Sequence, residues 1–182
     1  MAADPTPHLR VHLLTAADES DLLAFETTNR DFFAGAVGDR GDEYFRSFSD
    51  RHGSLVAENE AGTSMLFVVR DGEGRVVGRV NLADVEDGSG DLGYRLAEQS
   101  CGRGYARAAV RLALEEAAAR GLRRVTAMTT EGNLLSQRVL DANGFERVPG
   151  GVPAEVEVGG RTEPTVHFVL TLDGPVSRRA GR

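Results

Sequence analysis

Gln99-Ser100-Cys101-Gly102-Arg103-Gly104-Tyr105-Ala106-Arg107 couples a β-rich run directly to the clearest helical pattern in this 182-residue chain. That pattern, Gly104–Arg120, repeats Ala106, Val110, Ala113, Leu114 and Ala117 at helical spacing, and Gly121 stops it. Two glycines one residue apart let the backbone turn tightly and approach a ligand with no Cβ in the way. The first amides of a helix have no intrahelical partner and carry the positive end of its dipole. Glycine turn and helix start together predict a cradle for a diphosphate. Arg103, Arg107 and Arg111 stand at i, i+4 and i+8, where like charges cost roughly 0.2–0.5 kcal/mol per pair. A nearby anion would relieve that cost; the alternative is a solvated face with Arg111 paired to Glu115.

Outward from this stretch the elements alternate. Before it, Met65–Arg70 and Arg75–Asp84 are β-rich runs joined by Asp71-Gly72-Glu73-Gly74, a hairpin signal. The acidic turn 84–88 leads to a further strand, Gly90–Leu96. The chain begins with an alternating strand over His8–Leu14, then a helix capped by Thr15 or Asp18. The segment Asp31–Gly41 reads as a loop holding Phe32 and Phe33, and Asp42–Glu60 as one helix burying Tyr44, Phe45, Phe48 and Leu55. After it come a strand, Arg123–Thr130, a short helix, Asn133–Asn143, and strands at Phe145–Val148 and Thr165–Leu172 joined by a Gly/Pro/Glu-rich connection. The order βααβββαβαββ predicts an α/β fold: one domain over residues 8–172 with a mixed, twisted sheet and helices on both faces. Residues 1–7 and 173–182 read as frayed ends.

Composition narrows the function classes. The formal net charge of −7 argues against a general nucleic-acid binder and fits better with a cationic partner such as an amine. A single cysteine, Cys101, excludes a disulfide framework and a cysteine-based zinc site, and the scattered histidines show no ligand spacing, so no metal is expected. Residues 1–7 show no signal peptide and no apolar run is long enough to span a bilayer, so a cytoplasmic protein is expected. The glycine loop is not a Rossmann fingerprint, because Arg107 stands where the third glycine belongs, and no Walker A lysine exists.

The pattern Gln99-x-x-Gly102-x-Gly104 resembles the acetyl-CoA pyrophosphate loop of the GNAT N-acetyltransferase superfamily. Leu92-Gly93-Tyr94-Arg95-Leu96 before it, Gly104-Tyr105-Ala106 within it, and Asn133-x-x-Ser136 with Asn143-Gly144-Phe145 after it are similar to the ribosomal-protein alanine/serine N-terminal acetyltransferases. The resemblance implies that the strand ending at Leu96 splays from the strand at 123–130 and that the pantetheine arm of acetyl-CoA lies in the gap. It implies that the amides of Gly102, Arg103, Gly104, Tyr105, Ala106 and Arg107, with Gln99 beside them, hold the pyrophosphate, and that Asn133 bonds the pantetheine. Ser136 would protonate the departing thiolate.

Attack on a thioester needs a neutral amine and therefore a proton acceptor. Asp91 stands where the resembled group carries glutamate, one methylene longer, which favours a bridging water; Glu155, Glu157 and Glu163 in the late connection are rivals. Asp91 also reads as a solvent-facing strand residue, and Ser136 as a small residue in close packing. Cys101 reads as a small neighbour of the loop, Tyr105 as packing beneath it, His167 as structural, and Phe32 and Phe33 as either a cap on the acceptor site or core. The implied activity is direct transfer of acetyl to a primary amine, a protein N-terminus or a small molecule, by a monomer or homodimer. The alternatives are a catalytically silent acyl-CoA-binding module and a nucleotide-binding domain of another class.

Overall fold

Along β2 (Met65–Arg70) Leu66 and Val68 face one way and Phe67 and Val69 the other, and each is buried. A strand buried on both faces requires a layer on each side of the sheet. The structure, a computed structural model, describes residues 8–149, 155–158 and 161–172; the ends expected to fray, 1–7 and 173–182, lie outside them.

The sheet is 8-stranded. β1 (Arg10–Leu13), β2, β3 (Val76–Glu86) and β4 (Ser89–Leu96) form an antiparallel half. From β4 the chain crosses through α5 (Tyr105–Ala119) to β5 (Arg124–Thr130), which pairs parallel to β4. Beyond β5 lie β8 (Arg161–Thr171) and β6 (Glu146–Arg147), with β7 (Glu155–Val158) hairpinned onto β8. One face packs α5 and α6 (Leu134–Ala142) over a core that includes Phe67, Val80, Leu82, Val110, Leu114, Val125 and Leu140. The other face carries α1 (Glu19–Thr28), α2 (Arg30–Val37), α3 (Gly41–Arg46) and α4 (Phe48–Ala61) over Leu22, Phe25, Phe33, Tyr44, Phe48, Leu66 and Val68. No helix among the described residues is long and apolar enough to cross a membrane.

The expected order holds, with four corrections. The segment Asp31–Gly41 is not a loop: α2 runs through Gly35, because Phe33 is buried with its ring 5.5 Å from that of Phe25, and it ends at Gly38 with φ of 83°. Tertiary burial of one aromatic overrides a local glycine. The single helix expected over Asp42–Glu60 breaks at Ser47, whose amide and hydroxyl both donate to the Glu43 carbonyl, a back-bond of the kind that bends a helix. The connection before β8 contains β7, whose Val156 pairs antiparallel with Glu163 of β8. The acidic turn is also shorter than its sequence suggests: β3 runs on to Glu86, through a bulge after Ala83, and Asp84 and Asp87 take positive φ.

Asp18 anchors the first turn. Its carboxylate accepts from the Thr15 amide and hydroxyl, from His12 Nε2 and from Arg70 Nη2 at 2.8–3.0 Å, and the residue is 4% exposed. Burial opposes the charge, but the hydrogen bonds from Arg70, Thr15 and His12 outweigh it and hold the carboxyl well below its usual range. A carboxyl depressed in the folded state contributes its full stability above its unfolded pKa, near 3.9, and loses it as pH falls from there through the lower folded value. Asp18→Asn is therefore expected to lower stability by about 2 kcal/mol at pH 7, or roughly 4–8 °C in Tm, with the gap to wild type narrowing below about pH 4 in thermal melts at several pH values.

Candidate active site

The β4–β5 ladder is short. Ser89, Gly90, Asp91 and Leu92 pair with Arg124, Val125, Thr126 and Ala127, and there the parallel pairing stops. β4 nevertheless continues to Leu96, held by β3 through Gly78, and β5 continues to Thr130, held by β8 through Thr165. The result is a V-shaped opening between Gly93–Leu96 and Met128–Thr130, with strand-edge N–H and C=O groups facing into it. Such edges are available to an extended amide-bearing ligand. This is the splay that the resemblance implies.

The chain leaves β4 through Ala97 and a 3₁₀ turn over Glu98–Ser100, then reaches the glycine loop. Gly102 and Gly104 take φ of 71° and 73°, and a Cβ on either would meet nothing within 4 Å, so both flank open space. The amide of Cys101 bonds back to Glu98 and that of Ala108 bonds to Gly104. Between them the amides from Gly102 to Arg107 have no hydrogen-bond acceptor of normal geometry among the described residues. Consecutive free donors at a helix start, with glycine allowing close approach, fit a diphosphate.

The flanking side chains sort themselves. Arg103 lies over the ring of half-buried Tyr105 at 5.3 Å, so Tyr105 does pack beneath the loop, and Arg107 is exposed. Arg111 donates to Glu115 at 2.7 Å, which makes the solvated reading correct for that residue. Ala106 is half-buried on the helix's core side, and Leu96 is 7% exposed, packed where a side chain on Gly78 would collide with it. Gln99 is exposed on the wall of a cleft of about 470 Å³ between α1 and the β2–β3 hairpin. Cys101 is exposed, and partial desolvation and the charge of Glu98 push its thiol up, away from nucleophilic use.

Asn133 and Ser136 sit at the opposite lip of the opening. Asn133 caps α6, its Oδ1 accepting from the Ser136 amide at 3.0 Å, so part of the side chain is already engaged. The hydroxyl of Ser136 lies 3.0 Å from the phenol of Tyr94 on β4, bridging the gap between the two arms of the V. Burial raises the pKa of that phenol, the bond to Ser136 working the other way, so Tyr94 remains a proton-bearing group through neutral pH. Asn143 ties α6 back to the loop helix, donating to the carbonyls of Val139 and Arg107.

Asp91 occupies the vertex, beside the last ladder rungs, and accepts from the Thr126 hydroxyl. Strand alternation sends it to the sheet face opposite Tyr94 and Ser136. Of the rivals, Glu155 and Glu157 are exposed on β7, whereas the Glu163 carboxylate lies against Gly132 at the start of α6. Phe33 is core, and Phe32 is partly exposed beside it. His167 pairs across from Met128, with Nε2 3.3 Å from the Thr165 hydroxyl. Local pattern does not mark Tyr94 as the proton-bearing partner of Ser136: Gly93-Tyr94 stands out in the sequence, but not that α6 brings Ser136 to 3.0 Å from its phenol.

The family model described as "Acetyltransferase (GNAT) domain" matches residues 8–146. A curated relative, the probable N-acetyltransferase YjcK of Bacillus subtilis (strain 168), is 29% identical over 174 residues, spanning 91% of this chain and 93% of that protein. Among solved structures, a ribosomal-protein-S5-alanine acetyltransferase from Vibrio fischeri superposes with a TM-score of 0.81 at 24% identity, covering 90% of this chain and 93% of that one. A spermidine N-acetyltransferase from Vibrio cholerae in complex with CoA and spermine superposes with a TM-score of 0.76 at 17% identity, covering 90% and 95%.

Gly104→Val is expected to weaken CoA binding by more than tenfold. A β-branched residue at φ of 73° is strained, and its side chain would project into the space beside the free amides. Calorimetric titration of CoA into the variant checks this, and an unchanged affinity would remove the loop from the site.

Proposed function

Since the chain belongs to the GNAT acetyltransferase family and is an acetyl-CoA-dependent N-acetyltransferase, we propose that it passes the acetyl group straight to a primary amine in a ternary complex, without an acyl-enzyme. The acceptor is a protein N-terminus or a small amine. The observation that carries this reading is the run of free amides from Gly102 to Arg107 at the mouth of a parallel strand pair that parts after Leu92 and Ala127.

In this reading the loop amides grip the pyrophosphate, and the free edges of Gly93–Leu96 and Met128–Thr130 align the pantetheine. The thioester then lies near the vertex of the V. A backbone amide of the splayed strand polarises the carbonyl oxygen, a donor whose worth increases in a dry site. The amine approaches from the face that carries α1–α4. Asp91, on that face at the vertex, takes the amine's proton through a bridging water, with Thr126 fixing its carboxylate. The nitrogen lone pair forms the new C–N bond as the C–S bond breaks and sulfur leaves with the electron pair. Ser136 supplies the proton to sulfur and takes its replacement from the Tyr94 phenol 3.0 Å away, which solvent restores, so no serine alkoxide is left. Donor and acceptor chemistry thus meet from opposite faces of one sheet, so no acetylated side chain is needed.

The test is release of free thiol from acetyl-CoA by the purified protein, measured against a panel of peptides and small amines. Acceptor-dependent release supports the reading, and none above background with any acceptor overturns it. Ser136→Ala is expected to lower kcat by about 10–100-fold while leaving the KM for acetyl-CoA within about twofold. An unaltered rate in steady-state kinetics would remove Ser136 from the proton path.

A further inference from the structure

Glu26 is the least expected residue in the core. It sits on α1 at 2% exposure, and its carboxylate takes Arg79 Nη1 at 3.1 Å and Arg95 Nη1 at 3.0 Å. One buried carboxylate therefore serves two guanidinium groups. The arginines are cross-strand partners on β3 and β4, and the charge left over falls at Arg95. Arg79 is 7% exposed, whereas the Arg95 side chain keeps 19% of its surface open. Arg95 also lies 4.8 Å over the ring of Phe33, and its single hydrogen bond among the described residues is the one to Glu26. It borders a small recess with Glu26, Arg30, Phe33, Asp39 and Arg40. Around that recess Arg30 pairs with both Asp39 and Asp42, and Arg40, stacked on Tyr44, balances the carboxylate left over, so the one surplus positive charge is that of the Glu26 cluster. Burying an unbalanced charge is costly unless something completes it.

A second observation lies two residues along the same face. Asn81 is the cross-strand partner of Gly93, and alternation puts both on the side of Arg79 and Arg95. The side-chain oxygen of Asn81 is buried with no hydrogen-bond partner among the described residues. At Gly93 a Cβ would meet nothing within 4 Å, so open space stands over the strand where the V begins. A buried acceptor oxygen without a donor is unfavourable, and an amine N–H would satisfy it.

We infer that this face selects an acceptor amine carrying its own carboxylate: the amine meets Asn81 over Gly93 and the carboxylate pairs with Arg95. This rests on the transferase reading above and names the substrate class of the same site. Two strand residues span roughly 7 Å. The side-chain carboxylate of an extended glutamate, free or as the first residue of a peptide, lies about 5–6 Å from its α-nitrogen and fits that span, whereas that of aspartate is one methylene too short. A polyamine would bring cations to a pocket that already has one too many.

The experiment compares pairs that differ only in charge: glutamate with glutamine, and Glu-first with Gln-first and Lys-first peptides, in the thiol-release assay. Each free amino acid is also titrated calorimetrically into the CoA-loaded protein. The expected result is kcat/KM at least about tenfold higher for the anionic member, with the peptide arm against the free amino-acid arm distinguishing the two sources of the carboxylate. Arg95→Gln is expected to erase that ratio. It leaves Glu26 paired with Arg79, and CoA affinity reports that the variant is folded; Arg95→Lys, which keeps the charge, is expected to restore part of the preference. Equal turnover and equal binding across the pairs, or an intact preference in Arg95→Gln, overturns the inference and leaves the transferase reading standing. Absence of both CoA binding and thiol release with every amine overturns the transferase reading, and this inference with it.

Discussion

The parting of β4 from β5 after Leu92 and Ala127 is the constraint around which the molecule is arranged. Unpaired strand edges inside a sheet are unfavourable unless something satisfies them, and a sheet that opens must be held on both sides of the opening. Here β3 holds β4 as far as Leu96, and β8 holds β5 as far as Thr130. The opening is a fixed feature of two well-anchored half-sheets. Its lips are bridged by the Tyr94–Ser136 contact, and the turn before α6 is clamped by Gln137, which donates to the Thr130 and Glu131 carbonyls.

From that opening the two faces acquire different chemistry. On the α5 face the free loop amides and the α6 hydroxyl are donors, suited to phosphate oxygens and a departing sulfur. On the α1–α4 face the groups near the opening are Asp91, Asn81 and the Glu26-centred arginines, suited to an amine and what is attached to it. Tyr94 and Arg95, adjacent in sequence, point to opposite faces because a strand alternates, so one dipeptide contributes to both sides.

Much of this was legible before any coordinates. The glycine loop, the amphipathic helix, the hairpin at Asp71–Gly74 and the parallel crossover all follow from local pattern, since each depends on residues close together in the chain. What stayed hidden depends on residues far apart. The helix through Phe32 and Phe33 forms because Phe25 is there to bury Phe33, and at Ser47 the hydroxyl shares the Glu43 carbonyl with the ladder bond where the helix breaks. The partner of Ser136 is Tyr94, 42 residues away, and the partners of Glu26 are 53 and 69 residues away. No periodicity carries such pairings. Asn133 shows a milder case: its spacing to Ser136 was visible, but that spacing also suits a helix cap, and the cap is where its oxygen is spent.

Net charge shows the same division between sum and arrangement. A formal charge of −7 favours a cationic partner when spread over a surface, because long-range fields add all charges together. Selection at a site is decided within a few ångströms, where solvent screening is weak and the nearest groups dominate. Asp84, Glu86 and Asp87, a cluster that contributes to that acidity, lie at the β3–β4 turn, exposed and open to water. The buried charges beside the opening are two arginines around one glutamate, the reverse of the global sign. An acidic protein can thus attract amines from a distance and still prefer, at contact, the amine that brings a carboxylate with it.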